Sequence, residues 1–119
     1  MRRIVTAYGA NSFKERLELA AMTASTASHR KQVIERLRAR PKLAAAYVQA
    51  AIDAGDQAAL LLALRTVAEA RGGMSLIAEK SGLKRESVSR ALSVTGNPRL
   101  SSLNAILSAT GLQIAIKQA

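Results

Sequence analysis

Residues 74–93 read MSLIAEKSGLKRESVSRALS, and their spacing is the most specific structural signal in the chain. Within it, Gly82 follows Ala78 by four residues, and Val88 follows Gly82 by six. This spacing predicts two short helices joined by a tight turn. A small residue lets the helices touch, a glycine takes the left-handed turn conformation, and a β-branched residue locks the second helix. We therefore expect a helix-turn-helix here.

Helix signals continue on both sides of this stretch. Asp56 precedes a periodic apolar segment that ends at a pair of glycines, as a capped helix does. Pro41 fits the first turn of the preceding helix, and Ser12 begins a capping box with Glu15 near the N-terminus. The other helices predicted in this way cover residues 29–39, 42–54, 57–71, 75–81, 84–93 and 102–110, with the N-caps Ser28, Asp56, Ser75 and Ser101. The fold class is accordingly all-α, a helical bundle with extra N-terminal helices.

The C-terminal segment has a different pattern. Residues 112–117 alternate apolar and polar side chains, which is typical of a half-buried strand. A lone strand leaves its backbone groups unpaired, so we expect this short β-strand to pair with its two-fold copy or with the Ile4-Val5 segment. A frayed terminus is the alternative.

Composition limits the classes of protein to which this chain can belong. The 18 Lys and Arg outnumber the 8 Asp and Glu, which gives a formal net charge of +10, and the chain has no Cys and one His. These residues supply no disulfide, no zinc site and no recognisable catalytic set, so we expect neither an enzyme nor a cofactor. No apolar run reaches the length of a membrane span. Strong positive charge on a small helical protein favours a cytoplasmic protein with a nucleic-acid partner.

The positive charge is distributed unevenly along the chain. Residues 1–42 hold ten Lys or Arg and three acidic residues, a net +7, whereas residues 72–100 hold a net +3. We expect residues 1–41 to form a basic helical arm and residues 42–119 to form the helix-turn-helix domain with its C-terminal strand. Three roles for the arm stay open: added phosphate contacts, a solvated arm, or an amphipathic helix on a membrane surface.

Four short segments carry a resemblance to a known family. They are residues 70–75 (ARGGMS), 81–93 (SGLKRESVSRALS), 96–100 (GNPRL) and 111–112 (GL). Over roughly residues 42–113 the chain resembles the addiction-module antidote proteins, HigA-like antitoxins with a Cro/C1-type, lambda-repressor-like helix-turn-helix domain. The resemblance implies a homodimer that binds double-stranded operator DNA in the bacterial nucleoid and represses its own operon. It also implies a toxin partner of the RelE/HigB kind.

The resemblance also implies which residues contact DNA. In this geometry the second helix enters the major groove, and flanking loops and helix N-termini hold phosphates. The lambda-type register turns four side chains toward the bases: Arg85, Glu86, Ser89 and Arg90. It assigns the phosphate contacts to Ser75, Lys84, Ser87, Asn97 and Arg99. Arg85 or Arg90 would bind guanine O6 and N7, and Glu86 would accept from a cytosine amino group.

Two other functions stay open at this stage. One is a stand-alone phage or Cro-type transcriptional regulator without a toxin partner. The other is a helical protein-binding module, for which the charged residues of the second helix would be an ordinary solvated face. Whether Lys84, Arg85, Arg90 and Arg99 fall on one open face separates the regulator from the module.

Overall fold

The structure is a computed structural model that describes residues 27–118. Within this range the chain forms six α-helices and no β-strand. The helices are α1 (Ala27–Ala39), α2 (Leu43–Asp53), α3 (Gln57–Ala70), α4 (Met74–Ser81), α5 (Arg85–Ala91) and α6 (Leu100–Ala109). The all-α prediction is confirmed for this part of the chain, and the capping box at Ser12 lies outside the described residues. None of these helices has the length and apolar character that a membrane crossing requires.

The predicted helix caps are right in one case and wrong in others. The side chain of Asp56 accepts a hydrogen bond from the backbone N–H of Ala58 at 3.0 Å, so it caps α3 as expected. Ser75 does not cap α4, because Gly73 takes the N-cap position and its carbonyl already accepts from the N–H of Ile77 at 3.1 Å. The caps predicted at Ser28 and Ser101 likewise fall inside α1 and α6, which begin at Ala27 and Leu100.

The helices pack as two connected groups around one hydrophobic core. In the first group α3 lies between α1 and α2, and in the second α4 contacts α5 and α6. A smaller contact between α3 and α4 joins the groups. Both groups contribute to the same core, whose largest fully buried apolar side chains are Leu37, Leu64, Val67, Ile77, Val88, Leu92 and Ile106. The position of α5 therefore depends on the whole bundle.

A polar network attaches α1 to α3. Arg30 donates two hydrogen bonds to the Glu69 carboxylate, at 2.8 and 3.3 Å, and a third to the Thr66 hydroxyl at 3.2 Å. Arg65 reaches the same carboxylate at 3.6 Å. Burial raises the pKa of the Tyr47 hydroxyl, an effect that its hydrogen bond with Thr66 and the Arg30 charge partly offset. Arg30 belongs to the predicted basic arm, for which phosphate contact is one of the open roles, and it is bound to Glu69 within the fold.

Within the part of the chain that the structure describes, residues 112–118 are not in a strand. Leu112 packs partly against the core, and its N–H donates to the carbonyl of Leu107 at 2.9 Å. Beyond it, residues 113–118 are exposed and belong to no regular element. A strand requires a partner for its backbone groups, and the proposed partner segment Ile4-Val5 lies outside the described residues. Pairing with a second copy stays a prediction.

Candidate nucleic-acid interface

A three-residue turn joins α4 to α5 as the sequence predicts. Gly82 takes a left-handed conformation with φ +78°, and the backbone N–H groups of Gly82 and Leu83 both donate to the carbonyl of Ala78, at 3.0 and 3.2 Å. This pattern satisfies the carbonyl of Ala78, which has no partner within α4. Ser81 supports the turn, since its Oγ accepts from the N–H of Leu83 at 3.3 Å. The chain therefore enters α5 at a fixed angle.

Two apolar side chains hold α5 on the bundle. Val88 is 0% exposed and Leu92 is 1% exposed, while Ala78 is buried where α4 and α5 meet. The small Ala78 side chain lets the two helices approach closely. The predicted inward positions of Val88 and Leu92 are confirmed, so one side of α5 belongs to the core and the remainder is available to a partner.

The four predicted base-contacting residues lie at different positions around α5. At about 100° per residue, Glu86 and Arg90 fall about 160° and 200° around the helix axis from Val88, which places them on the outer face. Arg85 and Ser89 fall about 60° and 100° from Val88, on the flank of the helix. Consistent with these positions, Arg85, Glu86 and Arg90 are exposed and Ser89 is half-buried.

The five predicted phosphate-contacting residues come from α5 itself and from three segments around it. Lys84 ends the turn before α5, and Asn97 and Arg99 belong to the loop before α6. Ser75 is the second residue of α4, and Ser87 lies within α5. Lys84, Asn97, Arg99 and Ser75 are exposed, and Ser87 is half-buried. Because α4 begins one residue earlier than expected, the backbone N–H of Ser75 is among the first of the helix, which have no intrahelical acceptor.

The loop that follows α5 is pressed against the end of that helix. A Cβ at Gly96 would collide with the carbonyl oxygen of Ala91 and lie 2.8 Å from that of Arg90. Gln57, at the start of α3, donates from Nε2 to the carbonyl of Gly96 at 3.2 Å. Ser93 donates from Oγ to the carbonyl of Arg90 at 2.8 Å. These contacts fix the loop that carries Asn97 and Arg99.

Three residues that no sequence pattern identified as functional hold this loop in position: Gln57, Ser93 and Gly96. The Gly-Asn-Pro sequence indicated a turn, but a close backbone approach at Gly96 leaves no local signal. The hydrogen bond from Gln57 joins positions 39 residues apart. Only the folded bundle brings them together.

Among the described residues, several basic side chains elsewhere form ion pairs, whereas those around α5 do not. Arg30 and Arg65 bind Glu69, and Arg38 binds Glu35 at 3.2 Å. Within residues 27–118 no ion pair holds Lys84, Arg85, Arg90 or Arg99. Glu86 and Arg90 stand four residues apart on α5, the spacing of a helical ion pair, yet they form none. The charged groups around α5 are thus available to an external partner.

Comparisons with known proteins place the chain in a family. A family model described as "Probable addiction module antidote protein" matches residues 29–118, a range that begins in α1 and includes all the other described helices. An uncharacterized protein from Haemophilus influenzae (strain ATCC 51907 / DSM 11121 / KW20 / Rd) is 41% identical over 59 residues, which are 50% of this chain and 60% of that relative. No solved structure matches this chain significantly. The chain belongs to the family of probable addiction module antidote proteins.

Proposed function

We propose that this chain is the antitoxin of a type II toxin-antitoxin module and that it also binds operator DNA, through which it represses its own operon. Membership of the antidote family supports a toxin partner. The observation that carries the DNA-binding part is the set of four exposed cations, Lys84, Arg85, Arg90 and Arg99, without ion pairs around a helix whose opposite side is buried. Neither activity requires a cofactor or catalytic chemistry.

In the proposed complex α4 and α5 act as a lambda-repressor-like helix-turn-helix, and the outer face of α5 enters the major groove. Arg90 and Glu86 are central on that face, so Arg90 binds guanine O6 and N7, and Glu86 accepts from a cytosine amino group or orients Arg90. Arg85 and Ser89 reach the bases from the flank of the helix. This order of importance within the four residues follows from the helix geometry.

The proposed phosphate contacts fix α5 in the groove. Arg99 and Asn97 lie on the loop that Gln57 and Gly96 hold in place, and Lys84 is the last residue of the turn before α5. Ser75 offers both its hydroxyl and its backbone N–H at the start of α4, while Ser87 lies near the groove wall. These groups carry no sequence information themselves, but they set the register of the helix on the duplex.

We expect the operator complex to be a homodimer. One helix of this size contacts too few base pairs for tight operator binding, and two copies related by a two-fold axis read a pseudo-palindrome with half-sites about one helical turn apart. The proposed site of action is the bacterial nucleoid, and the toxin would be of the RelE/HigB kind. A stand-alone regulator would bind the same DNA without a toxin.

A binding experiment with matched variants tests the DNA-binding part. We expect the full chain to prefer its own upstream DNA over random duplex, with affinity falling steeply between 50 and 200 mM salt. Arg90→Ala should cost about 1–3 kcal/mol on the operator and relax the preference at one base pair, whereas Arg99→Ala should weaken all sequences alike. Arg38→Ala, on α1 and paired with Glu35, is the control with the same loss of charge.

Gel shifts with both duplexes at both salt concentrations measure these effects. Equal binding to operator and random duplex by the wild-type chain would contradict the repressor function. Equal losses for Arg90→Ala on both duplexes would contradict the assignment of α5 as the helix that reads bases.

A further inference from the structure

The structure contains an apolar groove on a surface that is distinct from α5. It lies between α2 and the C-terminal segment, and Leu107 and Leu112 contribute to its lining. The groove is lined mainly by apolar side chains, of which Ile52 is 50% exposed and Ile114 is 48% exposed. Ile116, two residues after Ile114, is 94% exposed. Large apolar groups that stay this exposed in one neighbourhood mark a surface for a macromolecular partner.

The described lining of this groove carries no charge, in contrast to the net charge of +10 of the whole chain. Among residues 27–118, none of those that line the groove is charged. Residues 43–64, which include α2, contain two acidic residues and no Lys or Arg. One of these acids, Asp53, lies at the rim, since its Oδ1 accepts from Nε2 of the lining residue Gln49 at 2.9 Å. Lys117 is the first cation after the groove in the C-terminal segment. In a chain of net charge +10, an apolar surface with an acid at its rim is suited to a positively charged partner.

We infer that this groove is the docking site for the toxin, and that the toxin presents an apolar contact surface with basic residues at its edge. This inference rests on the antitoxin function proposed above and extends it by naming the surface and the chemistry of the partner. Apolar contact with Ile52 and Ile114 supplies the main binding energy at the centre, as buried apolar anchors do in protein interfaces. Asp53 supplies attraction and orientation at the rim.

A second copy of this chain is a poorer occupant of the groove. A two-fold interface places the same patch of each copy against the other. Asp53 would then face a groove whose described lining carries no cation, and the apolar centre would gain nothing from charge. A basic partner gains from both the apolar centre and the acidic rim.

The test uses the full-length chain and, as probe, the purified product of the gene that adjoins its own. Isothermal titration measures binding for wild type, Ile52→Arg, Ile114→Arg and the control Leu62→Arg, which adds the same charge at an exposed α3 leucine outside the groove. We expect Ile52→Arg and Ile114→Arg each to weaken binding about tenfold or more, and Leu62→Arg to change it less than about twofold. Circular dichroism melting curves confirm that each variant is folded.

A second pair of variants tests the rim. Asp53→Lys should weaken binding about fivefold at 50 mM salt and much less at 500 mM, because salt screens exposed charges. Glu79→Lys, at an exposed acid of α4, is the control and should have little effect. Equal effects of Asp53→Lys and Glu79→Lys would show that only the net charge of the chain matters and would overturn the assignment of the rim.

The other outcomes separate this inference from the proposed function. Tight binding that Ile52→Arg, Ile114→Arg and Leu62→Arg leave equally strong would overturn the groove assignment and leave the antitoxin function intact. No binding by the wild-type chain would overturn the toxin partner itself. If Ile114→Arg lowered the sedimented mass of the free chain and left toxin binding unchanged, the groove would hold a second copy and the inference would be wrong.

Discussion

Gly96 shows how a single residue controls the surface around α5. Gly96 is required for steric reasons, because a Cβ would collide with two backbone carbonyls at the end of α5 that cannot move independently of the helix. Gly82 is different: it has open space where a Cβ would be, but its φ of +78° is one that most side chains resist. Gly82 and Gly96 are therefore needed for separate physical reasons.

Substitutions at the two glycines should distinguish these reasons. Gly96→Ala and Gly96→Asn should both destabilise the fold, by about 1–3 kcal/mol, because either adds the colliding Cβ. Gly82→Ala should cost about 1–2 kcal/mol, and Gly82→Asn clearly less, since asparagine tolerates the left-handed conformation. Urea denaturation of the four variants measures the free energies of unfolding. A rescue by asparagine at Gly96 would contradict the steric explanation.

At the scale of elements, the attachment of α1 to α3 combines apolar and ionic contacts. Val33 and Leu37 of α1 are buried in the shared core, and Arg30 makes a bidentate contact with a half-buried Glu69. The exposed pair of Arg38 with Glu35 joins neighbouring turns of α1 only. Glu69 is therefore the α3 residue that receives the ionic contact from α1, and Arg65 of α3 itself reaches the same carboxylate.

Replacing Glu69 by glutamine should loosen α1 while the rest of the bundle stays folded. We expect Glu69→Gln to cost about 1–2 kcal/mol, as the loss of hydrogen bonds to a charged group does, and to speed hydrogen exchange of α1 amides. Glu35→Gln, at an exposed ion pair, should cost no more than about 0.5 kcal/mol. Hydrogen exchange followed by mass spectrometry compares the two variants. Equal protection of α1 in both would show that its apolar contacts alone hold it.

The sequence predicted the elements better than their ends and connections. The spacing of Ala78, Gly82 and Val88 identified the turn and the buried side of α5, because these requirements are local. The prediction of Ser75 as the N-cap of α4 is wrong. A serine before an apolar segment is the usual signature of an N-cap, but here the adjacent glycines determine where the helix begins. The Arg30–Glu69 contact joins positions 39 residues apart, and no local pattern indicates it.

At the scale of the whole molecule, two surfaces differ in their charge. Within residues 27–118, the cations Lys84, Arg85, Arg90 and Arg99 around α5 form no ion pair. In the same part of the chain, neither α2 nor the lining of the groove contains a cation. The net charge of +10 does not show this difference between the two surfaces, because it is only the sum over the whole chain. If both proposals hold, DNA and toxin contact separate surfaces of one antitoxin molecule.

The stability of the bundle should fall at high pH through Tyr47. Burial raises the pKa of its hydroxyl in the folded chain, while a tyrosine in the unfolded chain has a pKa of about 10. Between these two values the folded chain keeps a proton that the unfolded chain releases, so the stabilisation is fully present below about pH 10 and is lost as pH rises through the folded pKa. The free energy of unfolding of wild type should therefore decline in that window.

Tyr47→Phe provides the comparison, because it shares every other titrating group with wild type. At neutral pH it should cost about 0.5–1.5 kcal/mol through loss of the hydrogen bond with Thr66. Above about pH 10 its stability should decline less steeply than that of wild type, so the difference between the two proteins should shrink. Urea denaturation at pH 7, 9, 10 and 11 measures this difference. Parallel curves across that range would show that the Tyr47 hydroxyl has the same pKa in the folded and unfolded chains.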